Sequence, residues 1–185
     1  MGRKRIQLAL AEALADVAPV VVRRTFEEAE PITGYVVALG DDWVVLHATY
    51  DLRLTGWTAL RIDTIDRVRT AKHPGTYDRA MEFWGEHPHS PGIDPASTQS
   101  VLRTAGKLYP LIVVHLEEER PGVAYVGMVE RVGGKRLRFR YLSTTAEWDP
   151  PTDGERLELR EITKVEVGTD YTRVLWALAE EPALV

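Results

Sequence analysis

Hydrophobic and polar positions repeat twice along the chain. Residues 34–46 lie without gaps on residues 127–139, with Gly34 on Gly127, Gly40 on Gly133 and Leu46 on Phe139. Each stretch predicts a strand opened by glycine, a tight polar turn and a second strand. Gly40 and Gly133 fall at the turn, where a residue able to take positive φ is wanted. Downstream, Leu60, Ile62, Ile65 and Val68 match Leu157, Leu159, Ile162 and Val165, two short strands divided by a turn. Tyr77, Arg79 and Met81 then match Tyr171, Arg173 and Leu175 as short helices, with Thr76 and Asp170 as the expected N-caps. Upstream, Val20-Val21-Val22 matches Leu111-Ile112-Val113-Val114 as an opening strand. A helix precedes each strand: Ile6, Leu10, Leu14 and Val17 recur at helical spacing in the first half. In the second, Val101, Leu102, Ala105 and Leu108 do so, behind an Asp94 cap with Pro95 at the first helical position.

Each half therefore reads as helix, five short strands, short helix. A breaker-rich connection holding Gly85, Pro88, Pro91, Gly92 and Pro95 joins them, which predicts two units, 1–92 and 93–185. The fold class predicted is mainly β with short helices. Five short strands behind a helix, with a glycine opening the second and a short turn before the third, resemble the Sm-like small β-barrel over 22–68 and 114–165. The resemblance implies two tandem five-stranded Sm-like barrels, each preceded by an α-helix. RNA-binding members of that family carry Asp and Asn around strand three and Arg-Gly after strand four. Here Asp41-Asp42 leads into Trp43-Val44-Val45 with no Asn, and Leu60-Arg61 leads to Ile62. The second half has Gly134-Lys135-Arg136 and Leu159-Arg160-Glu161 in those places, so the family's RNA pocket does not carry over.

Composition narrows the function. The 185 residues are 44% hydrophobic and 28% charged, with 23 Lys plus Arg against 28 Asp plus Glu and a net charge of -5. That is a globular composition, and its sign argues against a general nucleic-acid coat protein. The chain has no cysteine, which excludes thiolate catalysis, disulfides and Cys-ligated zinc. Arg3-Lys4-Arg5 before an apolar run imitates a secretory signal, but Gln7, Glu12 and Asp16 interrupt it, so a cytoplasmic protein with no membrane partner is expected. No phosphate loop, nucleophile elbow or metalloprotease motif occurs, and Asp63 and Asp66 fall at a polar turn where Asp is ordinary. A non-enzymatic chain without cofactor or metal is the expectation. His87 and His89 are two imidazoles where a site needs three or four ligands.

The candidate binding residues come from exposure arguments. Arg136, Arg138 and Arg140 alternate with Leu137, Phe139 and Tyr141, which sends the three arginines to one strand face. They could grip phosphates or an acidic partner, although Glu130 and Glu158 on neighbouring strands should pair with them. The same alternation turns Trp43 and Val45 outward in the first half, to be covered by the first helix, by the second repeat or by a partner. Glu117-Glu118-Glu119 reads as a solvated strand end. The long segment 143–155 replaces a shorter loop of the first half and offers Trp148, with Asp149 beside it, as an anchor. Together these features predict a protein-interaction module, an adaptor or an acidic inhibitor of the immunity type. The partner expected is another protein, a second copy included, and the alternative is an RNA-binding Sm-like protein.

Overall fold

The computed structural model describes residues 2–150 and 155–180. Helix α1 (Arg3–Asp16) turns Ile6, Leu10 and Ala13 inward. Strands β1 (Pro19–Arg24), β2 (Ile32–Leu39), β3 (Trp43–Tyr50) and β4 (Arg53–Arg61) follow. A 3-10 turn at Ile62–Thr64 leads to β5 (Ile65–Thr70), and α2 (Pro74–Trp84) ends the first half. The second half repeats this with α3 (Thr98–Leu108), β6 (Ile112–His115), β7 (Ala124–Val132), β8 (Arg136–Tyr141) and β9 (Glu155–Glu158). A 3-10 turn at Leu159–Glu161, β10 (Lys164–Val167) and α4 (Asp170–Leu178) complete it.

Two closed barrels do not form. The ten strands make one open antiparallel sheet in the order β5-β1-β2-β3-β4-β10-β6-β7-β8-β9, and with four helices the fold is α+β. The order within each half is the same, but the outer edge of β4 is taken by β10 of the other half, with Leu60 opposite Lys164, Ala59 opposite Val165 and Thr58 opposite Glu166. Backbone groups that closure within one half would require are spent between the halves, and β5 and β9 are left as the outer edges.

Local geometry repeats as well. Register shifts put Val37 in a bulge of β2 and Glu130 in a bulge of β7. Gly34 and Gly127 open onto facing strands so close that an added Cβ would strike the carbonyls of His47 and Arg140. Gly40 and Gly133 do not take positive φ at their turns, contrary to the expectation. At Gly40 the constraint is instead crowding, because a Cβ there would meet the Pro95 carbonyl. The helix starts also differ. Asp94 Oδ1 accepts from the Ala96 N–H, an Asx turn that diverts it from capping, and Ser97 caps α3. His73 and Thr169, not Thr76 and Asp170, precede α2 and α4.

The sheet has apolar cores on opposite faces. Val44, Leu46 and Leu60 face α1 together with Val20, Val22 and Val36. Trp43, Val45 and Ala59 point the other way and join a core with Ile93, Val101, Leu102 and Ala105, continuous with Val114, Val165 and Phe139 of the second half. Trp43 is 0% exposed, and its Nε1 donates to Thr98 Oγ1 at 3.1 Å. The cover is therefore α3 and the second half, while α1 lies on the other face.

The connection between the halves lies against this second face. Ile93 is buried in the core, Trp57 Nε1 donates to the His89 carbonyl at 2.9 Å, and the His89 N–H donates to His47 Nδ1 at 3.3 Å. His47 stacks on Trp57 with centroids 4.5 Å apart, and its pKa falls from 6.5 to about 4. Burial is the main cause, His89 adds to it and Glu86 opposes it. The unfolded chain therefore takes up the His47 proton first as pH falls. The His47 contribution is complete above about pH 6.5 and is lost between there and about pH 4, on the order of 3 kcal/mol in all. Urea midpoints across that range should fall in the wild type and fall less in His47→Gln. Equal slopes in both proteins would show that another group governs the range. Among the described residues no helix is long and apolar enough to cross a membrane.

Candidate functional site

A large concavity lies where the halves join, on the α1 face of the sheet. It has a volume of about 780 Å³, within the size range of ligand and side-chain pockets. Its floor comes from β4, β6 and β10: Thr58, His115, Lys164 and Glu166. Its two lips come from equivalent loops of the two halves, Phe26 to Pro31 after β1 and, after β6, Glu117, Glu118, Pro121 and Gly122. Pairing of β4 with β10 thus creates the site, since neither half supplies both lips.

The floor is charged and internally balanced. Arg24, with its side chain almost wholly buried, ion-pairs with Glu117 and donates from Nε to Thr64 Oγ1 at 3.1 Å. Glu117 Oε2 also accepts from Thr163 Oγ1 at 2.6 Å. Burial lowers the Arg24 pKa and Glu117 opposes that fall. Alongside, His115 Nε2 lies 2.6 Å and Lys164 Nζ 3.4 Å from Glu166 Oε2. Burial would raise the Glu166 carboxyl, but the bond to His115 and the charge of Lys164 outweigh it and hold it at about 2. Glu117 is therefore not part of a solvated strand end. Glu118 and Glu119 are exposed.

Tyr50 lines the cleft and also begins a second surface. The β3–β4 hairpin turns through Asp51 and Leu52, both left-handed, with φ 47° and 62°. Left-handed backbone is unfavourable for Leu, and it holds that side chain outward at the tip. Beside it Arg53 lies 4.4 Å over the Trp84 ring and ion-pairs with Glu86 at 3.1 Å. The Leu54 N–H donates to the same carboxylate at 2.9 Å, and these partners hold Glu86 below the usual carboxylate range. The hairpin is thereby tied to the end of α2. Together they present Tyr50 (72% exposed), Leu52, Phe83 (78% exposed) and Trp84.

The residues singled out in the sequence do not come together here. Arg136 pairs with Glu158 at 2.6 Å, and Glu130 receives both Arg138 at 2.8 Å and Arg140 at 2.6 Å, its bulge placing it between them. Trp43 is buried, which leaves it no surface for a partner. Trp148 is half-buried, donates from Nε1 to the Glu180 carbonyl at 2.8 Å and meets Trp176 edge-on. It ties its loop to α4. Asp149 is exposed, and Pro151, Asp153 and Gly154 of the same loop lie outside the described residues. His89 meets His47, and among the described residues no group of three or more acidic or imidazole side chains could hold a metal.

Sequence reasoning missed Tyr50, Leu52, Phe83 and Trp84, although adjacent aromatics before a helix-ending Gly85 were a visible signal. It also missed Arg23, Arg67 and Arg69. Arg23 stands opposite Arg67 across β1 and β5, and these arginines have no side-chain partner among the described residues. Comparison with family models, curated proteins and solved structures returned no match, so the function has to be argued from these residues.

Proposed function

We propose that this chain is a cytoplasmic, non-enzymatic protein-interaction module, an adaptor or an inhibitor of the immunity type. The observation that carries the reading is the exposed surface of Tyr50, Leu52, Phe83 and Trp84 on a strained hairpin and the end of a helix. Aromatic side chains with an arginine among them are the composition of binding hot spots, and a monomer gains nothing by leaving them wet. The cleft floor supports the same reading. Its carboxylates are each tied to a cation, and Glu166 is held ionised far below neutral pH, a poor position for acid–base work.

A second reading, RNA binding, is favoured by Arg23, Arg67 and Arg69, since like charges set opposite one another invite an anion. The overall acidity opposes it. Affinity capture from lysate of the source cells, with and without nuclease, separates the two. The expected result is a protein retained by the wild type, indifferent to nuclease and lost with Phe83→Ser combined with Trp84→Ser. Capture abolished by nuclease and by Arg67→Ala, and kept by the aromatic variant, would replace the first reading with the second.

A further inference from the structure

We infer that the partner segment is basic: an apolar side chain rests on the hairpin surface while neighbouring lysines or arginines enter the cleft between the halves. The inference rests on the interaction-module reading and adds the chemistry of the partner. Tyr50 belongs to both surfaces, so a segment crossing the hairpin tip runs directly into the cleft.

The cleft is acidic where a segment would touch it. Glu27, Glu28 and Glu30 stand on one lip and Glu118 on the other, all exposed. None has an ion-pair partner among the described residues. The floor cannot compensate them, because Arg24 is committed to Glu117, and Lys164 with His115 to Glu166. Elsewhere on the sheet the chain does pair its surface carboxylates, Glu130 with two arginines and Glu158 with a third. The lips therefore carry uncompensated negative charge on both sides of a cavity large enough for several side chains. Such a field steers a cationic segment and rejects an acidic one. The apolar half has the matching tolerance: Arg53 already lies over the Trp84 ring, while Phe83 is left open.

The test uses the full chain and three labelled synthetic peptides that share the same leucines, alternating with lysine, serine or glutamate. Fluorescence anisotropy should show the lysine peptide binding roughly tenfold more tightly than the serine one, with the advantage shrinking as salt rises. Combining Glu27→Gln, Glu28→Gln and Glu30→Gln should remove most of that advantage. Phe83→Ser and Leu52→Gly should weaken the lysine and serine peptides alike. Both positions are exposed, and glycine relieves the left-handed backbone at residue 52, so neither variant endangers the fold. Binding lost with Phe83→Ser but indifferent to peptide charge, or strongest for the glutamate peptide, would overturn the basic partner and leave the interaction module standing. Lysine-peptide binding unmoved by any of these variants, or no binding by any peptide, would overturn the surface itself.

Discussion

Trp43→Asp should abolish folding. The indole sits at 0% exposure between α3 and the second-half core, with its N–H bonded to Thr98. Truncating a buried aromatic costs about 3–5 kcal/mol, and a carboxylate with no cation at that position adds its own desolvation. The sum, about 5 kcal/mol or more, rivals the whole stability of an ordinary domain. Arg136→Asp, at the aligned position of the other half, should cost about 1 kcal/mol, since it replaces a largely exposed ion pair with a like-charge contact to Glu158. Trp43→Phe should fall between the two, keeping the apolar fill and losing the bond to Thr98. Urea denaturation of all three orders them. A Trp43→Asp midpoint near that of the wild type would mean that α3 does not cover this face in solution.

Glu117→Ala should be nearly as damaging for a different reason. Its carboxylate is the counter-charge of Arg24, whose side chain is 1% exposed and whose Nη1 already lacks a partner. Removing one member of a buried pair leaves an uncompensated ion, typically at about 3–5 kcal/mol. Thr163 loses an acceptor as well. Replacing both ends together, Arg24→Met with Glu117→Leu, should recover most of the loss, because the buried charge disappears along with its partner. Thermal melts of the single and double variants provide the check. A double variant no better than Glu117→Ala would show that the pair does more than neutralise itself.

The local pattern was legible wherever neighbours in sequence are neighbours in space. The strand pairs of 34–46 and 127–139, the inward Leu137 and Phe139 and the pairing of Glu130 with its arginines all follow from period-two alternation. What escaped were pairings across the two halves. No local signal says that β4 will accept β10, and that one contact decides between closed barrels and an open sheet. Glu117 looked solvated inside a run of three because Arg24 lies 93 residues away. The cleft was invisible for the same cause, since its lips come from different halves. Asp94-Pro95 imitated a helix start because an Asx turn uses the same residue types as an N-cap.

The position of β10 bears on how the chain is made. Val165 lies between Ala59 on one side and Val114 on the other, so a strand synthesised after both enters between two that were waiting for it. At about 5–20 residues per second, a ribosome needs on the order of 5–20 s to pass from β4 to β10. For that interval the edge of β4 stands open in addition to the permanent edge at β5, and unpaired edges recruit other chains. Translation halted before Lys164 would leave two such edges, β4 and β6, in one polypeptide. Chaperone demand should therefore concentrate in the interval before β10 is made, and a stop just before Lys164 should be more aggregation-prone than one before β4.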